Sequence, residues 1–187
     1  TRELWVSPPG LRGACAAELL HVARERGVQI RTARRGQMLS ASGFPLRILA
    51  AGRRFKRSPD NNASIVLMTW MGRRRILLTG DIEKDAERSL VGGDLRADIL
   101  KVAHHGSRSS TTSEFLSAVS PRLALISAGR RNLYGHPHLT VIEALDRKKA
   151  IIRRTDEHGT IRVRIDPRNT LRIETEIDTF RATAYSR

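Results

Sequence analysis

A recurring unit constrains this chain more than anything else in it: a short apolar run, a polar loop, then an amphipathic stretch, repeated through residues 64–154. The apolar runs "SIVLMTW", "RILLTG", "ADILKVA", "RLALISA" and "AIIRRT" are rich in Ile, Leu and Val and are short, so they read as strands. Between them "IEKDAERSLVGG", "TTSEFLSAVS" and "HLTVIEALDRKK" read as helices, the first stopped by Gly92-Gly93 and the second broken by Pro121. "MGRR" between the first two runs marks a hairpin. Strands alternating with helices predict an α/β fold, a sheet with helices on its outer face. Upstream, "ELWVS", "ACAAELLHVARERG" and "VQIRTA" predict strand–helix–strand, and "FPLRILAAG" a further strand. "GRRFKRSPDNN" is a basic loop; downstream, "AIIRRT" turns at "DEHG" into "TIRVRID", and "TLRIETEI" is a last strand before a polar tail.

Open α/β sheets place their chemistry just beyond strand ends, and the conspicuous polar residues of this chain sit there. Asp81 closes "RILLTGD", where Gly80 lets backbone or ligand approach; it suits a metal ligand or a base, and equally a cap for the helix that follows. His104 and His105 close the next strand and are followed by Gly106-Ser107. Imidazole together with carboxylate suits zinc, manganese or iron(II) rather than calcium. If the segment is extended, alternate side chains diverge, so one ring faces the site and the other stands behind it or reaches substrate. Ser107 and Ser109 serve as hydrogen-bond donors or begin the helix near Thr111-Thr112. His136, between Gly135 and Pro137, occupies a rigid polar loop, while His138 opens the helix after it. Asn61 and Asn62 read first as turn formers, and Asp156 and His158 of "TDEHG" as parts of a turn.

Charge narrows the partners. Against 19 Asp and Glu stand 34 Lys and Arg, a net charge of +15, carried by "GRRFKRSP", "GRRR", "AGRRN" and "IIRRTD". A polyanionic partner explains such an excess through counterion release, although a genome rich in G and C also raises Arg. Aromatic residues are only 4%, which argues against a base-stacking platform. The single cysteine, Cys15, excludes an internal disulfide and a cysteine-based zinc cluster, so a metal must be held by His, Asp, Glu or Asn. No apolar run approaches the roughly 18–20 residues of a membrane span. "TRELWVSPPG" has no signal-peptide pattern, and a chain of 187 residues fits one domain.

In this order and spacing, "NNASIVL", "ILLTGDIEKDAE", "ADILKVAHHGSRSS", "NLYGHPH" and "RRTDEHGTI" resemble the C-terminal half of the metallo-β-lactamase-fold domain of ComEC-type DNA-internalisation competence proteins. The resemblance covers about residues 1–166, with residues 167–187 as a final strand and polar tail. It implies an αββα sandwich carried by a membrane channel protein, a soluble domain on the non-cytoplasmic side of the inner membrane. It implies a nuclease that degrades the DNA strand not imported, with two divalent ions, zinc or manganese, in the complete domain. Asp81 then matches the carboxylate bridging the ions, His104 or His105 a late histidine ligand, and His136 the Gly-His-Pro histidine. Asn62 falls where relatives of the fold place a further histidine, for substrate contact or ligand orientation, and Ser107, Arg108, Arg130 and Arg131 are the residues to hold the strand.

One departure is large. The His-x-His/Asp-x-Asp-His motif that supplies most ligands of the fold is absent, since none of His21, His104, His105, His136, His138 and His158 begins it. The expectation is therefore a fragment, partnered by the N-terminal half of the domain and by the remainder of a larger channel protein, with DNA as substrate and no small-molecule cofactor. Alone it is expected to turn over little or no substrate. Two other readings keep the residues and change the function: a basic module that binds DNA without cutting it, and a hydrolase of this fold acting on another ester.

Overall fold

The computed structural model describes residues 2–7, 14–52 and 60–177. The basic loop at 53–59 and the polar tail from 178 lie outside the described residues. Strand β1 (Glu3–Val6), helix α1 (Ala14–Glu25) and β2 (Gln29–Thr32) form the expected strand–helix–strand unit, and β1 pairs with β2 in parallel as a sheet of its own.

The main sheet has seven strands in chain order: β3 (Met38–Ala41), β4 (Phe44–Ala50), β5 (Val66–Met71), β6 (Arg74–Leu78), β7 (Ile99–Lys101), β8 (Leu123–Ile126) and β9 (Ile151–Arg154). From β3 to β6 neighbours are antiparallel, with two-residue turns joining β3 to β4 at Ser42-Gly43 and β5 to β6 at Gly72-Arg73; from β6 to β9 they are parallel. Parallel neighbours need crossovers, which helices α2 (Lys84–Leu90), α3 (Ser113–Val119) and α4 (Leu139–Arg147) provide. In register across the sheet, Met68, Leu77, Leu100 and Ala124 are buried in one cluster with Leu90 of α2, Phe115, Leu116 and Val119 of α3, and Leu145 of α4. Each of the larger side chains contributes about 1.5–3 kcal/mol by burial, so this face fixes the register. The opposite face carries Leu67, Leu78, Lys101, Leu125 and Arg153 in one row, all of them only partly buried.

Two expectations need correction. "DEHG" is not the turn of a hairpin: it lies in a one-turn helix, α5 (Thr155–His158), and β9 stays in the main sheet while β10 (Ile161–Ile165) pairs with β11 (Leu171–Thr175). The cause is local. Both carboxylates of that turn, Asp156 and Glu157, close on the Arg154 guanidinium, and Thr155 exchanges hydrogen bonds with the backbone of Ala128 at 2.9 and 2.8 Å. The second is β3, which the sequence did not predict. The division drawn after residue 166 falls in the β10–β11 turn, where Asp166 accepts the Thr170 N–H at 2.8 Å. Among the described residues no helix is long and apolar enough to cross a membrane.

Candidate active site

Because β6 to β9 run parallel, their C-terminal ends lie along one edge of the sheet, and residues 79–83, 102–112, 127–138 and 155–158 leave from that edge. Gly80 makes the first turn possible. Its φ is +58°, and a Cβ there would stand 2.8 Å from the Ser64 Cβ. With that approach, Ser64 Oγ accepts the Asp81 N–H at 3.2 Å, and the Gly80 carbonyl accepts the His104 N–H at 3.2 Å. Asp81 is not the cap of α2; that position is Glu83, which makes no side-chain cap bond. The Asp81 carboxylate is left 42% exposed at the edge, facing His105.

The histidine pair departs from the extended geometry expected of it. His104 (φ 47°, ψ 45°) and His105 (φ 55°, ψ 18°) are both left-handed within a 3-10 turn, Ala103–Gly106. Each such residue costs about 1–2 kcal/mol. Ser107 N–H donating to the His104 carbonyl at 2.9 Å, and Ser110 Oγ donating to Ala103 at 3.1 Å, help offset that cost. The two side chains therefore do not diverge as they would along a strand. His105 Nδ1 lies 2.6 Å from the Ser127 carbonyl, which can only accept, so Nδ1 carries the hydrogen and the neutral ring keeps its lone pair on Nε2. That Nε2 stands 3.8 Å from Asp81 Oδ1. Two electron-pair donors so placed can share a hydrogen-bond donor or a cation between them. His104 accepts from Asn61 Nδ2 through Nε2 at 3.4 Å. Its Nδ1 is 3.3 Å from Glu83 Oε1, within ion-pair reach, but it is buried and not aligned for a hydrogen bond.

His136 completes a row of imidazoles. Its ring centroid is 5.8 Å from that of His104, which is 6.4 Å from that of His105. Burial, and then the neighbouring imidazoles of His104, His105 and His138, hold its pKa below the usual histidine value. Among the described residues its buried Nδ1 has no hydrogen-bond partner. The loop that brings it here is fixed by Gly106 (φ +83°), where a Cβ would stand 2.5 Å from the Pro137 Cβ, and by His138 N–H donating to the Gly106 carbonyl at 2.9 Å. The His136-Pro137 peptide is cis. His138 caps α4 through Nδ1, as expected.

The remaining candidates surround this row. Asn62 is buried, and its Oδ1 accepts the Glu83 N–H at 2.7 Å, so it positions the Asp81–Glu83 turn. Ser107 is turned inward and shares a 3.0 Å hydrogen bond with Ser109 Oγ. Arg108, Arg130 and Arg131 are exposed. Arg130 is steadied by Nε donating to the Asp156 carbonyl at 3.3 Å. Glu83 and Lys101 were not singled out in the sequence, and Asn61 was read only as a turn former. Glu83 and Asn61 contact His104, and Lys101, on the half-covered face, donates to its neighbour Val102's carbonyl at 2.9 Å. Burial lowers the Lys101 pKa, an effect that Asp81 partly opposes.

Among the described residues no group of three or more His, Cys, Asp or Glu side chains is arranged to hold a metal ion. Asp81 and His105 face each other as a pair of donors, but tetrahedral or higher coordination needs at least four. The described residues therefore do not complete a metal site by themselves.

No protein-family model matches the chain. Over 153 residues it is 39% identical to ComE operon protein 3 of Bacillus subtilis, an alignment covering 79% of this chain and 19% of that protein. Over 109 residues it is 38% identical to the competence protein ComA of Neisseria gonorrhoeae, covering 57% of this chain and 16% of that one. The chain thus spans about a fifth or less of the length of these relatives. Among solved structures, a candidate metal-dependent hydrolase of Parabacteroides distasonis shares the fold, with a TM-score of 0.51 at 11% identity, covering 83% of this chain and 76% of that one. The likeness bears out the mixed α/β fold expected from the sequence.

Proposed function

We propose, from the premise that the chain is homologous to one segment of the competence proteins, that it supplies part of the active edge of a metal-dependent phosphodiesterase acting on DNA during uptake. The observation that carries this reading is the facing pair Asp81 Oδ1 and His105 Nε2 at 3.8 Å, with His105 oriented from behind by the Ser127 carbonyl. An imidazole fixed by a carbonyl on its far nitrogen is the arrangement that holds a histidine ready as a ligand. It favours His105 over His104 as the ligand and leaves His104 between Glu83 and His136. His136, kept neutral by burial and by its neighbouring rings, is suited to orienting substrate. Arg108, Arg130 and Arg131 hold phosphates, and Asn62 keeps the Asp81 turn in place through Glu83. In a protein of the relatives' length, the further donors and a second face for the sheet come from outside this segment. The divalent ions, zinc or manganese, then sit at the shared edge. The substrate is the strand that is not imported, on the non-cytoplasmic side of the inner membrane.

A single comparison tests this. Labelled single-stranded DNA is incubated with manganese or zinc and either this chain or a longer protein of the relatives' length that carries it. The chain alone is expected to cleave little. The longer protein is expected to cleave, with Asp81→Ala lowering the rate at least about 100-fold. Cleavage by the longer protein that survives Asp81→Ala overturns the assignment of this edge.

The incomplete donor set also favours a second reading, a basic module that binds DNA without cutting it. Binding that persists in chelator and falls steeply with salt, with no cleavage by the longer protein, selects it.

A further inference from the structure

We infer that Tyr134 is a stacking platform for an unpaired nucleobase, so that the edge described above prefers single-stranded over double-stranded nucleic acid. The inference rests on the nucleic-acid reading of that edge and adds its substrate class. Tyr134 is 83% exposed and Leu133 beside it 99% exposed, at the tip of the loop that carries His136. A large aromatic left in water is a loss unless something covers it. The Tyr134 ring lies nearly parallel to the His136 ring, with centroids 5.9 Å apart and planes 22° apart. His136 thus backs one face, and the exposure of the ring leaves the other face open. An imidazole behind a phenol ring fixes its tilt, so an incoming base meets a ring already oriented.

The tip is held. Asn132 Nδ2 donates to the carbonyls of Gly129 at 2.9 Å and His136 at 2.6 Å, and its Oδ1 accepts the His136 N–H at 2.9 Å. The two arginines immediately before Asn132 are exposed, with Arg130 anchored on the Asp156 carbonyl. Guanidinium groups for phosphate beside an open aromatic face for a base are the pairing that tracks a single strand. Bases within a duplex are already stacked on both faces, so a duplex offers the phosphates but not the base. The scarcity of aromatics argues against an extended stacking platform, but one well-placed ring suffices for one base.

An exposed Leu-Tyr pair flanked by arginines could also dip into an anionic bilayer surface, and the test separates the two. Equilibrium binding is measured in chelator, so that no cleavage is required, by fluorescence anisotropy of an oligothymidylate of about twenty nucleotides and of an abasic strand of equal charge. Tyr134→Ala and Tyr134→Leu are expected to weaken binding to oligothymidylate about five- to thirty-fold and to leave the abasic strand unchanged. Tyr134→Phe is expected to bind as the unaltered chain does. Equal losses on both strands, or none on either, overturn the inference. So does full retention of DNA binding by Tyr134→Leu together with uptake onto phosphatidylglycerol vesicles, which marks a membrane contact. Loss of cleavage in the longer protein without any change in this binding pattern would count against the nuclease reading and leave the stacking site standing.

Discussion

Two loops meet at the candidate site and are built in opposite ways. The loop after β7, residues 102–112, is held from below by the rest of the molecule. Glu87 of α2, wholly buried, accepts the Thr111 N–H at 2.5 Å and the Thr112 N–H at 2.9 Å, and Ser110 ties the turn to Ala103. The loop after β8, residues 127–138, holds much of its outer part with its own Asn132 and leaves Leu133 and Tyr134 in water. The first spends core contacts to keep strained imidazoles in place, which suits groups whose chemistry depends on position. The second presents a surface, which suits recognition. They touch at Gly106 and Pro137, so the presenting loop inherits its placement from the anchored one.

Breaking the anchor is therefore expected to have the largest effect. Glu87→Ala leaves two backbone N–H groups buried without acceptors, a loss of about 2–5 kcal/mol in urea denaturation, with Glu87→Gln losing less because its amide oxygen still accepts. The carboxyl also sets a pH dependence. Burial raises its pKa above the ordinary 4.5, and the Thr112 and Thr111 N–H groups recover only part of that shift. The native state then keeps a proton that the unfolded chain has already lost. Between 4.5 and the raised native value the unfolded state binds fewer protons, so stability falls as pH rises and levels off above that window. Glu87→Gln is expected to flatten this part of the stability–pH curve. A variant as pH-dependent as the parent would show that the anchor does not govern the loop's energetics.

Much of this arrangement could be read from the sequence, and what could not has a common cause. Apolar runs bounded by helices announced the parallel half of the sheet, because β6 to β9 are continuous in sequence and their ends fix where chemistry sits. The strand-end positions of Asp81, the histidine pair and His136 were legible for the same reason. The left-handed backbone of His104 and His105 was not. It depends on the Gly80 carbonyl and on Pro137 lying against Gly106, contacts between segments distant in sequence. Glu83 and Asn61 looked like the polar start of a helix and a turn, since nothing local signals that they close on His104. Strand β3 was missed because "MLSA" is short, exposed at all but Leu39 and followed by a Ser-Gly turn. For Tyr134 the low aromatic content pointed away from stacking; a composition counts rings and does not locate them.

The presenting loop is expected to respond locally where the anchored one responds globally. Asn132→Ala removes three hydrogen bonds of a solvent-facing loop. Water can replace part of them, so the global loss is expected to be about 1 kcal/mol, smaller than for Glu87→Ala. Amide exchange separates the cases. Protection is expected to drop at His136 and its neighbours in Asn132→Ala, with residues 103–112 unchanged. Loss of protection in both loops would mean that they are one unit and that the contrast between them is only one of exposure.

The smallest effects on stability, and the sharpest test of division of labour, come from the arginines. Arg108 is exposed on the anchored loop; Arg130 and Arg131 are exposed on the presenting one. Replacing any of them with Gln is expected to change stability by no more than about 0.5 kcal/mol. In single-strand binding each phosphate contact contributes about 0.7 to the slope of log affinity against log salt. If both loops hold the strand, Arg108→Gln lowers the slope by about one such unit and the Arg130→Gln, Arg131→Gln double variant by about two. A double variant with an unchanged slope beside a weakened Arg108→Gln would assign phosphate binding to the anchored loop alone. The exposed tip would then contact bases and nothing else, and the two loops would differ in what they recognise as well as in how they are held.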